Sequence, residues 1–164
     1  MAEKLFLTDE QSRQVERRLV QLHGRSRALY TLLADVTGQL LSAVGMAPNI
    51  EPVTLAALAA SNMAATAEMA RLTGEPDSFT YLFHEGRERN IYITAVGEAF
   101  LLVVLFDRST QIGWVRLLAK EAAEDLLAVV EEIQKPSKPT SPLMGADFGE
   151  SLASELDQVF GTWD

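Results

Sequence analysis

The stretch PVTLAALAASNMAATAEMARL, residues 52–72, governs how the rest of the chain is read. At 100° per residue, Leu55, Leu58, Asn62, Ala65, Thr66, Met69 and Leu72 share one side of a helix, the spacing of a core-facing stripe. A charge introduced at Leu58 is accordingly expected to unfold the protein. The opposite side carries Ala57, Ala60, Ala64, Ala67 and Arg71, flanked by Ser61 and Glu68, where a solvated helix normally shows Lys, Glu and Gln. Such a ridge lets a second backbone approach closely, and alanine loses no side-chain entropy when it is covered. It admits three readings: a docking face, mere helix propensity, or burial on both sides within the monomer. The remaining chain looks too short to supply a second covering layer, which favours docking.

Composition sets the outer bounds. A chain of 164 residues with 48% hydrophobic content supports one domain with a real core, plus a tail. A net charge of -9 disfavours nucleic acid and anionic membrane surfaces. With no cysteine there is no disulfide or thiolate chemistry, and nothing marks an oxidising compartment. The N-terminal MAEKLFLTDEQ lacks a long apolar run and no stretch approaches a membrane span, so a cytoplasmic protein without membrane insertion is expected.

Upstream of the central stretch, Thr8 and Gln11 form a capping-box signal, and Val15, Leu19 and Leu22 give the stripe of a surface helix that Gly24 is expected to end. Residues 28–34 and 39–44 read as a hairpin turning through Asp35, Thr37 and Gly38. Pro52 suits the first turn of the next helix and Gly74 its end. Three strands follow at 80–84, 90–96 and 99–106; the last, AFLLVVLF, is apolar without alternation, as a central strand covered on both faces would be. A final long helix keeps its stripe through Ile112, Val115, Ala119, Ala122, Leu126, Val130 and Ile133, with Trp114 and Leu117 pointing off it as candidate contacts.

Residues 135–147 form a linker through Pro136, Pro139 and Pro142. Residues 148–164 recover helical spacing in Phe148, Leu152, Leu156 and Phe160, the pattern of a tethered amphipathic helix that docks into a groove.

Little in the chain suggests catalysis. His23 and His84 are the only histidines, no metal-ligand spacing can be written, and no metal or cofactor is expected. The HEG of His84, Glu85 and Gly86 lacks a third partner and reads as a turn with a histidine at its rim. Glycine-rich phosphate loops are absent. No residue is expected to be catalytic.

The order helix, hairpin, alanine-faced helix, three strands, helix resembles the Roadblock (dynein light-chain type) family over residues 8–134. The resemblance is carried by DVTGQLLSAVG at 35–45, the run NIEPVTLAALAASNMAATAEMARLTGE at 49–75, FHEG at 83–86 and LLVVLFDRSTQIGWVRL at 101–117. It is most similar to the bacterial polarity branch, whose members activate a Ras-like small GTPase and carry a comparable C-terminal extension.

The resemblance implies an α/β fold, a three-layer α-β-α sandwich around a five-stranded antiparallel sheet. Residues 1–134 would form the domain, 135–147 the linker and 148–164 the C-terminal helix. It also implies a homodimer formed through the second helix and third strand, here Leu55, Met63, Thr80, Tyr81, Leu82 and Phe83. The GTPase would sit on Ala57, Ala60, Ser61, Ala64, Ala67, Glu68 and Arg71, with the larger, charged Glu68 departing from a pattern that tolerates a small residue there. Phe148, Leu152, Leu156 and Phe160 would contact the GTPase and promote nucleotide exchange. Enrichment at a cell pole and a role in motility are further implications. Two alternatives are a passive Roadblock scaffold that tethers a GTPase or another partner, and a small-molecule sensor using the sheet face.

Overall fold

The computed structural model describes residues 7–134. The linker and the tethered helix lie outside the described residues. Eight elements follow in order: α1 (Asp9–Ser26), β1 (Tyr30–Asp35), β2 (Leu40–Gly45), α2 (Pro52–Thr73), β3 (Tyr81–Glu85), β4 (Arg89–Val96), β5 (Phe100–Asp107) and α3 (Ile112–Gln134). The strands form one antiparallel sheet in the order β2-β1-β5-β4-β3. The unalternating strand β5 occupies the middle and is buried from Phe100 to Phe106.

Alternation along the strands sorts side chains onto two faces. Leu33, Tyr92, Val96, Phe100, Leu102, Val104 and Phe106 meet α1 and α3 through Val15, Leu19, Leu22, Val115, Leu118, Ala122 and Leu126. The other face is smaller: Leu32, Ala34, Ile93 and Val103 meet Ala56 and Ala59 of α2. These are the three layers expected.

Local chemistry fixes the ends of the elements. Thr8 and Gln11 make a complete capping box, Thr8 N–H donating to Gln11 Oε1 at 2.9 Å and Gln11 N–H donating to Thr8 Oγ1 at 3.2 Å. The helix runs past Gly24 to Ser26, and Arg27 ends it in the left-handed region (φ 54). In the β1–β2 turn, Asp35 Oδ1 accepts from the backbone N–H groups of Thr37 and Gln39 and from the Thr37 hydroxyl, a side-chain-built turn. Pairing steps from Leu33↔Ser42 to Ala34↔Leu40, leaving Leu41 as the extra residue of a bulge.

Candidate functional site: the outer surface of α2 and the free edge of β3

The second helix is strongly determined at both ends. Glu51 caps it, accepting from Val53 N–H at 3.2 Å and from the N–H and hydroxyl of Thr54, both at 2.7 Å. These hydrogen bonds, that of the Thr54 hydroxyl foremost, hold the Glu51 carboxyl below its ordinary pKa. At the other end Gly74 takes a φ of 77, and the N–H of Glu75 reaches back to the carbonyl of Ala70 at 2.9 Å, satisfying the last turn.

The face α2 turns to the sheet differs from the one its hydrophobic spacing predicts. Ala56, Ala59, Ala60, Thr66 and Ala70 are buried, whereas Leu58, Met69 and Leu72 are 63%, 52% and 71% exposed. Ala65 is exposed as well, and Leu55, Asn62 and Met63 are half-buried at the boundary. The expected core stripe is therefore corrected in part: Thr66 is buried and Leu55 packs on the core as expected, but the helix rests mainly on its alanines and displays Leu58, Met69 and Leu72. Gly38 supplies one reason. A Cβ at that position would lie 2.9 Å from the Cα of Ala57 and 3.6 Å from the Cβ of Ala60, so the β1–β2 turn abuts the helix backbone. Larger residues at 57 and 60 would push the turn away.

The residues proposed from sequence as a partner surface divide accordingly. Ala60 is corrected to a buried position, with 5% exposure, and cannot form part of an outer surface. Ala57, Ser61, Ala64, Ala67, Glu68 and Arg71 are exposed. Glu68 and Arg71 bind each other one turn apart, Arg71 Nε lying 3.0 and 3.1 Å from the two carboxylate oxygens. That bond lowers the Glu68 pKa and raises that of Arg71, and it occupies the guanidinium. Ala60, Met63, Ala64 and Ala67 also line a cavity of about 450 Å³, together with Ser78, Glu98, Phe100 and Leu101 among others.

The proposed self-association residues divide between the two faces of the sheet. In β3, Leu82 joins Leu55 and Met63 against the α2-side core, while Tyr81 and Phe83 point to the α3-side core. Tyr81 stacks on Tyr92 with 5.2 Å between ring centroids, and Phe83 on Phe106 at 6.2 Å. Thr80 is exposed, and its carbonyl accepts from the Thr94 hydroxyl at 3.2 Å. Among the described residues β3 pairs only with β4, so one row of its backbone groups is free. His84 is a neighbour of α2: Asn62 Nδ2 and His84 Nε2 are 3.2 Å apart. His84 and Glu85 therefore belong to the end of β3, not to a turn as expected, and only Gly86 lies beyond the strand. No group of three or more His, Asp or Glu among the described residues is placed to hold a metal.

Leu58, Met69 and Leu72 were missed as surface residues. Their signal lay in the wheel itself, since a helix with Ala56, Ala59, Ala60, Met63 and Ala70 on one side has a second apolar face that lies flat on a sheet.

Three layers around a five-stranded antiparallel sheet, with a capped helix showing apolar side chains beside an unpaired strand, define the class of fold, an α-β-α sandwich. The Roadblock/LC7 domain model matches residues 15–106, and the chain belongs to that family. Among solved structures it is similar to Myxococcus xanthus MglB, with 35% identity, 81% of this chain and 99% of that chain covered, and a TM-score of 0.74. The gliding protein MglB of Thermus thermophilus is similar at 34% identity, with 80% and 99% covered and a TM-score of 0.74. An MglB with a tetrameric arrangement matches at 35% identity, with 81% and 99% covered and a TM-score of 0.75.

Proposed function

We propose that this chain is a homodimeric, MglB-like regulator that activates GTP hydrolysis by a Ras-like small GTPase of the MglA kind, acting in the cytoplasm in control of polarity or motility. The observation that carries this reading is the outward face of α2, with Leu58, Met69 and Leu72 exposed on one flank and Ala57, Ala64 and Ala67 exposed on the other. In a chain this similar to MglB, two flanks of one helix serve two contacts. The flank bearing Leu58, Ala65, Met69 and Leu72, continuous with Leu55 and the β3 edge, suits self-association about a two-fold axis. Ala57, Ser61, Ala64 and Ala67 then receive the GTPase.

Activation by an inserted arginine would be worth roughly 10³–10⁵ in rate. We infer another route. Arg71, the arginine on this surface, is held by Glu68. On our reading the protein contributes no catalytic group; it binds more tightly to the GTPase conformer whose own residues reach the nucleotide, and the differential affinity sets the acceleration. The C-terminal segment, with Phe148, Leu152, Leu156 and Phe160, adds a contact that promotes nucleotide exchange.

The test is single-turnover GTP hydrolysis by the cognate Ras-like GTPase with and without this protein. Acceleration that is lost with Ala64→Arg supports activation through α2. Binding without acceleration would leave a tethering scaffold.

A further inference from the structure

A second surface lies on the α1/α3 side of the sheet, away from α2. Where α1 ends and α3 begins, a cavity of about 600 Å³ is lined by Arg25, Arg27, Ser109, Thr110 and Trp114 among others, and no carboxylate side chain lines it. That is unusual placement for a chain with 23 acidic and 14 basic residues. The hydroxyls around it are already committed: Ser26 donates to the Leu22 carbonyl, Thr110 to the Ser26 carbonyl and Ser109 to Asp107. Arg25 is paired with Glu121 at 2.7 Å. Arg27 lines the cavity and makes no ion pair or side-chain hydrogen bond among the described residues. Trp114 forms the wall. Its indole N–H donates to the Arg25 carbonyl at 3.1 Å, which fixes the ring while leaving 47% of the residue exposed. Leu117, one turn on, is 57% exposed and extends the apolar surface.

We propose that this cavity docks an acidic peptide segment of a partner protein, with Arg27 taking a carboxylate and Trp114 and Leu117 taking a neighbouring apolar side chain. Arginine and tryptophan are both among the residue types enriched at strongly binding interface centres, and here they line one cavity. Arg27, a cation unpaired among the described residues, suits a single carboxylate, and the protein's net charge of -9 repels a polyanion such as nucleic acid. The apolar strip past the cavity mouth suits a row of side chains on a peptide better than an enclosed small molecule. Because this surface and α2 lie on opposite faces of the sheet, both can be occupied together. The proposal stands independently of the GTPase reading.

The experiment uses the full chain carrying Trp163→Phe, which leaves Trp114 as the only tryptophan. The probe is a labelled synthetic hexapeptide, Glu-Asp-Leu-Phe-Glu-Asp with blocked ends, and the control replaces its acidic residues with lysine. Fluorescence anisotropy and Trp114 emission should both show saturable binding of the acidic peptide and none of the lysine control. Arg27→Glu should weaken binding by roughly tenfold or more, the scale of losing a central contact, and Trp114→Ala should do likewise, while Ala64→Arg leaves it unchanged. Arg27 is exposed, so its substitution tests the site even where Trp114→Ala perturbs folding. Absence of saturable binding, equal binding of both peptides, or equal binding by the Arg27→Glu protein overturns the proposal. So does a change in the protein's own oligomeric state on Arg27→Glu, which would assign the cavity to a second copy.

Discussion

Leu58→Arg separates the face that folds the protomer from the face that assembles it. The side chain is 63% exposed on the single chain, so the protomer loses little by the change, within about 0.5 kcal/mol for a surface site. In the proposed dimer the exposed part is covered. Full burial of a leucine is worth about 1.5–3 kcal/mol, so covering the remaining part contributes about 1–2 kcal/mol per copy. A two-fold interface presents the residue twice, which brings the loss to about 2–4 kcal/mol before any cost of confining two guanidinium groups. The dimer dissociation constant should rise by about 30-fold to 1,000-fold. Sedimentation equilibrium across a concentration series measures that shift, and circular dichroism on the same samples shows whether the protomer keeps its helical signal. A folded protein with weakened self-association is the expected result. Ala59→Arg is the control: Ala59 packs at 3% exposure against the Leu32 and Val103 side of the sheet, and an unpaired charge there should prevent folding. If Leu58→Arg unfolds the chain as Ala59→Arg does, or leaves the dimer unchanged, the assignment of the two faces is wrong.

Ala64→Arg, on the exposed ridge, should abolish GTPase binding by titration calorimetry while leaving the melting temperature close to that of the parent. Gly38→Ala should destabilise the domain by about 1–3 kcal/mol in urea, because the position has a φ of +93 and its Cβ would press on the Ala57 backbone. Acid should weaken the start of α2: the Glu51 carboxyl lies below its ordinary value of 4.5, so its stabilisation is complete above that value and is lost as the pH falls through the lowered folded pKa. Glu51→Gln should remove that part of the acid dependence of amide protection at Val53 and Thr54. Truncation after Gln134 should leave dimerisation and most GTPase binding intact but slow release of a fluorescent GDP analogue, and unchanged release would deny the terminal segment a role in exchange.

The sheet was legible because its strands carry their own punctuation. Gly86 and Gly97 mark turns, the Asp35 turn encodes its hydrogen bonds, and β5 shows by its lack of alternation that both its faces are covered. The stripe of α3 was legible for the same reason as that of α1, since one broad face meets one core. Leu118 and Val129 widen it beyond the narrow spacing expected. Gly24 misled about the end of α1 because glycine is only the commonest residue at that position; Arg27 takes the left-handed conformation instead.

The central helix shows where hydrophobic periodicity loses its meaning. Periodicity identifies the apolar side of a helix on the assumption that the largest side chains face the nearest core. On α2 that assumption fails, because a helix can settle closely on a sheet and on the Gly38 turn only through small residues, which puts alanine at 56, 59 and 60 inside. Leucine and methionine at 58, 69 and 72 then have nothing within the described chain to cover them. Exposed apolar side chains in register over several turns of a helix, beside an unpaired strand edge, mark a surface suited to contact with a second one. Residues that look like core are therefore the ones proposed to specify assembly, and one residue of the alanine ridge, Ala60, helps to specify the fold. Periodicity alone misplaced Leu58, Met69 and Leu72 in the core and Ala60 on the surface, while the rest of the ridge is exposed as expected; the proposed dimer would give the three large side chains a partner.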